Sequence, residues 1–328
     1  MYSLPVESQL DILKNLNINQ LNSVRQTNRY FNALIGRYEG ELARKKFKKI
    51  AFSGSRHAGN YKFINIKSGL FRLEPTSQLM AKWKSAVDRR IPVYLRAYDD
   101  YQPIIKLYIG FFKIRFTKKF ILNLPIIPKN IKEIKIIRCW IEKISHCYYD
   151  VIDFFFNIFN PELIQLIFDN EEIDKIKFNC RVCDYFSMRD ETILFCSNRL
   201  VISEYISFSD RYLTRQDLFG ILIRFLLKSP KVFIGDQQST ICKLILNHIE
   251  TSEDYSNITF NRIGFPHCKN PFTLSERAKL IEEREHLEGS KYTYHLTNMH
   301  NPNVKFSISF SKSSEEIVDY FQIERIRK

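Results

Sequence analysis

"NIKEIKIIRCW" (130–140) opens a rhythm that runs through the middle of the chain. Read locally it is a short strand, entered through a turn signal at Asn130 and centred on Ile134. "NPELIQLIFDN" (160–170), "NRLVISEYISFSD" (198–210), "SPKVFIGDQ" (229–237) and "YSNITFNRIGF" (255–265) read the same way, centred on Leu163, Val201, Val232 and Ile258. Between them lie helical patterns: "DVIDFFFNIF" (150–159), "TRQDLFGILIRFLLK" (214–228) with Asp217 at a capping-box position, and "STICKLILNHIE" (239–250).

One strand plus one helix every 26 to 38 residues or so is the period of a strand–helix solenoid. The expectation is an α/β fold: a curved parallel sheet, solenoid-like over about 100–265. It is an irregular relative of leucine-rich repeats, since the consensus Leu and Asn positions are missing. The competing reading is an α+β domain without true repeats.

Outward toward the C-terminus the pattern changes. "TLSERAKLIEEREHLEG" (273–289) predicts a helix, with a capping box from Thr273 to Glu276 and a stop at Gly289. "KYTYHLTN" (291–298), "NVKFSISFS" (303–311) and "VDYFQIERI" (318–326) alternate apolar and polar residues and predict a small antiparallel β meander. Helix and meander, about 270–328, are expected to cap the solenoid.

Outward toward the N-terminus, "SLPVESQLDILKNLNINQLNSVRQTNRYFNALI" (3–35) predicts three short helices. Pro5 suits a first helical position, and Glu7 suits the positive end of the helix dipole. Leu10, Leu13 and Leu16 share one face, widened by Ile12. Asn19 is the expected cap of a second helix from Gln20 to Gln26, carrying Leu21 and Val24. Thr27 or Asn28 caps a third, with Tyr30, Phe31, Leu34, Ile35 and Tyr38 at helical spacing. A buried Leu, Ile or Phe contributes about 1.5–3 kcal/mol, and three short helices cannot bury two apolar faces on their own atoms. Either the rest of the chain or another protein must cover one of them.

Composition narrows the partner. The chain has 328 residues and a formal net charge of +14. It is rich in Lys, Ile, Phe, Asn and Tyr and poor in Gly, as A+T-rich coding DNA would produce, so charge alone does not name nucleic acid. "RKKFKK" (44–49) reads as a solvated face on a helical continuation, and no Arg-Gly repeat, helix-turn-helix spacing or RNA-recognition signature accompanies it. A basic nucleic-acid-binding protein is kept only as a minor alternative. No signal-peptide pattern and no membrane-length apolar run is evident, and the seven cysteines are an odd count, so a cytoplasmic and/or nuclear location is expected.

Enzyme signatures are missing: there is no G-x-S-x-G, H-E-x-x-H, Walker loop or dinucleotide fingerprint. "FSGSRHAGNYK" (52–62) is a loop, not a phosphate cradle. Cys180 and Cys183 form a C-x-x-C, but Cys196 has no His near it and a zinc site would have to recruit Cys242 or His248. Buried thiols are the better reading. His146 beside Cys147 is a poor dyad, because adjacent residues rarely face each other. No catalytic, cofactor-binding or metal-binding residue is expected.

The residues that choose a partner are Leu4, Pro5, Glu7, Ile12, Leu13, Leu16, Leu21, Val24, Arg25 and Phe31, which in order and spacing resemble the F-box pattern. The sequence departs from that pattern at Gln20, where an acidic residue is frequent, at Thr27, where Val is usual, and at Phe31, where Trp is commonest. The resemblance implies an F-box over 1–48 that docks on a Skp-family adaptor and through it on a cullin-based ubiquitin ligase. Residues 49–328 would then present a protein substrate, and the chain itself would be no enzyme. Carried over position by position, it implies adaptor contact at or just behind Leu4, Pro5, Ile12, Leu13, Leu16, Leu21, Val24 and Phe31. The last two hundred residues look like the F-box-associated regions of the lineage-expanded nematode families. The alternative is a scaffold or regulator whose F-box-like helices pack internally.

Overall fold

The computed structural model describes residues 4–16, 18–38, 42, 45–54, 61–69, 74–96, 103–109, 118–154, 157–187, 190–209, 218–235, 239–254, 258–269, 274–286, 289–312 and 317–326. Three helices come first: α1 (Val6–Lys14), α2 (Ile18–Thr27) and α3 (Arg29–Arg37). Pro5 stands at the N-cap of α1, one position before the helix it was expected to begin, and Glu7 adds negative charge to the first turn without bonding the cap. The second helix starts at Ile18, so Asn19 lies inside it. Asn28 caps the third, its Oδ1 accepting from the Phe31 N–H at 2.9 Å.

The body continues with β1 (Lys46–Gly54), β2 (Lys62–Phe63), a 3-10 turn (Ile66–Gly69), α4 (Ser77–Asp88), β3 (Tyr94–Arg96), β4 (Pro103–Ile109), β5 (Lys118–Leu122) and α5 (Ile131–Ser145). There follow β6 (Tyr148–Asp153), β7 (Asn157–Phe159), α6 (Pro161–Ile167), α7 (Asn170–Ile173), β8 (Phe178–Ser187), α8 (Asp190–Arg199), β9 (Leu200–Ser209), α9 (Phe219–Lys228), β10 (Lys231–Gly235) and α10 (Ser239–Thr251). The chain closes with β11 (Arg262–Lys269), β12 (Lys279–His286), β13 (Gly289–Thr297), β14 (Lys305–Lys312) and β15 (Ile317–Ile326).

The fold is mixed α/β with a large sheet that does not close into a barrel. Among the described residues thirteen strands join in the order β12-β13-β14-β15-β11-β10-β9-β8-β6-β1-β4-β5-β2, and β3 pairs with β7 apart from them. From β1 to β11 the pairs are parallel and each step moves one place in the same direction. Parallel connections that all step in one direction, if of the usual single hand, put the connecting helices on one face. The helix-side row Ile50, Ile152, Cys183, Ile206, Val232 and Ile263 is fully buried, as a sheet face covered by helices requires.

Several expectations are overturned. "NIKEIKIIRCW" is not a strand but the first part of α5. Asn130 Oδ1 accepts from the Glu133 N–H at 3.0 Å, and Ile134, Ile137, Ile141 and Ile144 fall on one buried helical face. An Ile-rich helix imitates a strand when only ten residues are weighed. "NPELIQLIFDN" likewise holds α6, with Asn160 capping and Pro161 in the first turn, so the supposed strand centres Ile134 and Leu163 both lie in helices. "DVIDFFFNIF", expected to be helical, supplies most of β6 and all of β7, where Ile152, Ile158 and Phe159 are buried. Within the basic run, residues 46–49 form the start of β1 rather than extending a helix, and Arg44 lies outside the described residues.

The helix expected over 273–289 is corrected too: Lys279–His286 is β12, paired antiparallel with β13 across a hairpin in which Gly289 takes φ 137°. Strand pairing outweighs the helical preference of Lys, Glu and Arg. Its expected cap Thr273, like Asp217, lies outside the described residues. The expected strands at 198–210 and 229–237, the helix at 239–250 and the three meander strands are all present as β9, β10, α10, β13, β14 and β15. The meander is no separate cap, because β15 pairs along β11 and makes it part of the same sheet.

Candidate interaction surfaces

The helical module builds its own core. Leu10, Leu13, Leu21, Phe31, Leu34, Ile35 and Leu42 are buried together, with Leu16, Val24 and Tyr38 packed against them, in a cluster separate from the core of the body. Of the residues singled out by the F-box resemblance, Leu13, Leu21 and Phe31 therefore lie inside the module, and Leu16 and Val24 at its margin. Leu4, Pro5 and Ile12 are exposed, Leu4 and Ile12 each by 39%. Pro5 and Ile12 stand two helical turns apart and so share a side of α1.

One residue that sequence reasoning missed holds this arrangement. Gln9 is buried, donates from Nε2 to the Leu4 carbonyl at 2.7 Å, and accepts at Oε1 from the Tyr30 hydroxyl at 2.9 Å. A glutamine among leucines at helical spacing was the available signal, since a polar side chain on a buried stripe needs partners.

The second surface is the sheet face opposite the body's helices. Strand register places Lys119, Tyr108, Lys49, Val151, Val182, Tyr205, Lys231 and Arg262 side by side in one row across eight strands. Its charges are mostly matched within the face: Lys48 with Asp150 at 2.5 Å, Lys49 with Asp153 at 2.7 Å, Arg181 with Glu204, and Arg262 with Glu324 at 2.5 Å. These half-exposed pairs contribute little stability, but they leave the middle of the face close to neutral.

Beside the row runs an aromatic strip. The Tyr205 and Phe233 rings meet edge to face at 5.6 Å, and the next strand carries Gly264. A Cβ there would stand 3.5 Å from Phe233 Cδ1 and 3.6 Å from Tyr320 Oη, so the missing side chain leaves a shallow slot between two rings. At the β5 end, Tyr61 and Tyr108 bring their hydroxyls to 3.4 Å, and the ammonium groups of Lys106 and Lys119 approach the Tyr61 ring at 5.7 and 5.6 Å.

The thiols sit elsewhere. Cys180, Cys183 and Cys196 are buried on the helix side, and burial pushes the Cys180 thiol up to about 12 and those of Cys183 and Cys196 well above the usual range. Thiols so protonated are poor nucleophiles and poor ligands. His146 Nδ1 lies 2.8 Å from the Glu142 carbonyl, while the Cys147 thiol donates to the Lys143 carbonyl at 3.2 Å, so each bonds its own helix. No helix among the described residues is long and apolar enough to cross a membrane.

Residues 64–210, from just before the 3-10 turn through β9, match a family model described as a domain of unknown function (DUF8381). Neither the curated proteins nor the solved structures give a match. The matched stretch holds β6, β8 and β9 of the parallel run, begins after β1 and stops short of the meander.

Proposed function

We propose that the chain is a substrate-recognition adaptor: residues 1–48 act as an F-box that docks on a Skp-family adaptor of a cullin-based ubiquitin ligase, and residues 49–328 hold the protein to be ubiquitinated. The body is read as an irregular leucine-rich-repeat-like solenoid, its one-directional parallel strands extended by the meander. The chain performs no chemistry in this reading. It brings a target to the ligase.

The observation that supports it best is that the helical module completes its own core and still leaves Leu4, Val6 and Ile12 each nearly two-fifths exposed. A module packed internally as a scaffold would turn those residues onto the body. Exposed apolar anchors at the start of a helix, beside Pro5, are the kind of feature a partner covers.

The test is capture of the Skp adaptor by wild-type chain and by Pro5→Ala/Ile12→Asp, two positions outside the module's core. Retention by wild type and loss by the variant, with an unchanged melting curve, is the expected result. Equal retention, or none by either chain, overturns the ligase reading.

A further inference from the structure

The thirteen-stranded sheet ends at one side in β2, which is two residues long, and at the other in β12, which is eight. Among the described residues β12 pairs with β13 alone, so its outer edge presents backbone N–H and C=O groups with no strand to meet them. Nothing covers it from above or below either: residues 279–285 are all exposed, Leu280 by 50% and Ile281 by 55%. Register fixes what each face offers. Leu280, Glu283 and Glu285 stand opposite Tyr294, Tyr292 and Ser290, on the side where Tyr294 and Tyr292 stack on the buried Phe310 at 5.8 and 5.2 Å. A strand added outside β12 would therefore extend the apolar side of the sheet. On the other face Arg284 Nε donates to Glu282 Oε1 at 2.6 Å, so those two charges are matched. Glu283 and Glu285 form no ion pair among the described residues.

We propose that β12 is a docking edge that takes up an extended polypeptide segment as a further strand. The segment carries basic residues at two alternate positions, opposite Glu283 and Glu285, and an apolar residue against Leu280 and Ile281. Main-chain hydrogen bonds hold it and the alternate side chains select it. Charge decides the kind of segment, because an acidic edge on a chain of net charge +14 repels acidic strands and attracts basic ones. The same charge disfavours a second copy: β12 laid antiparallel on itself about its middle would set Glu282 against Glu283 across the two-fold axis. The bulge at Ile281 and the charged side chains guard the edge against indiscriminate pairing, so a matching segment is needed to gain from it. As the place where a target is held, the edge rests on the adaptor reading; its binding of a strand does not, and it is measured without the Skp adaptor so that either can fail alone.

The experiment measures fluorescence anisotropy of the labelled peptide Thr-Lys-Thr-Lys-Thr-Val-Thr, and of its reverse sequence for the other strand direction, with the full chain. At least one of the two is expected to bind about tenfold tighter than the same peptide with Glu in place of Lys. Glu283→Gln/Glu285→Gln should remove that advantage, and Leu280→Thr/Ile281→Thr should weaken binding of the Lys peptide. All four side chains are exposed, so neither variant should move the melting curve. Strand pairing has its own signature, because alternate residues of a strand point their N–H groups to opposite sides. Of two peptides N-methylated at odd or at even positions, one should bind and the other should not. No binding, equal binding of the Lys and Glu peptides, equal behaviour of the two N-methylated peptides, or binding unchanged in both variants would each overturn the proposal. So would a dimer in sedimentation that Leu280→Thr/Ile281→Thr converts to monomer, since the edge would then serve a second copy.

Discussion

The Tyr30 hydroxyl donates to Gln9 Oε1 at 2.9 Å, tying α3 to α1, and the amide of the same glutamine holds the Leu4 carbonyl at 2.7 Å. A buried polar side chain thus fixes where an exposed apolar residue is presented. Gln9→Ala should destabilise the helical module by about 1–3 kcal/mol, because it strips partners from the Leu4 carbonyl and the Tyr30 hydroxyl. Hydrogen exchange over residues 6–37 would read this, with no change expected in the strands of the body. Tyr30→Phe leaves the Gln9–Leu4 bond in place and should cost less, about 0.5–1.5 kcal/mol. Equal protection in wild type and Gln9→Ala would show that the bonds carry no weight.

Arg138 lies 2% exposed inside α5, donating to the Ile167 carbonyl at 2.9 Å and to Glu172 Oε1 at 2.6 Å, with its guanidinium 4.9 Å from the Phe168 ring. Glu172 also accepts from the Asp169 N–H at 3.1 Å, so it serves both a buried charge and a helix start. Glu172→Ala leaves that charge uncompensated and should cost about 2 kcal/mol, discounted because the carboxylate is partly exposed. Arg138→Met removes the charge along with the need for a partner and should cost less. Urea unfolding followed by tryptophan fluorescence orders the two variants, and the reverse order would refute the account.

Gly264 tests the aromatic slot. Its φ is unremarkable, so alanine meets only ordinary van der Waals contact with Phe233 and Tyr320, and Gly264→Ala should leave stability nearly unchanged. Gly264→Val drives two further methyl groups against the rings and should cost about 1–3 kcal/mol. Chemical denaturation separates them. Identical curves would mean that the rings move aside freely.

The buried cysteines predict a reactivity pattern. With the Cys180 thiol raised to about 12 and those of Cys183 and Cys196 raised by burial, none forms appreciable thiolate at pH 8. Iodoacetamide at that pH should leave all three unmodified in the native protein and label them in urea, as read by mass spectrometry. Rapid native labelling of Cys180 or Cys183 would contradict the burial and reopen a redox role for the C-x-x-C pair.

Local chemistry wrote much of this protein. Asn28 had the side chain for a cap, α10 had the 3.6-residue stripe, and β13 and β14 had strict alternation, because each depends on neighbours close in sequence. The sequence also carried the apolar residues of α1 to α3 and their spacing, though not which of them would lie inside.

Only the tertiary structure decided the rest. Ile-rich segments with both sides buried look alike as strand or helix, and the choice at 130–140 and 150–159 followed from what each segment packs against. The stretch Lys279–His286 became a strand because β13 offered an edge whose hydrogen bonds outweigh a modest helical propensity. The cluster of Lys106, Lys119, Tyr61 and Tyr108 exists through strand register alone, since residues as far apart as 61 and 119 meet only when their strands are laid side by side. Separation along the chain hides such clusters from local patterns, and the pairing of strands assembles them.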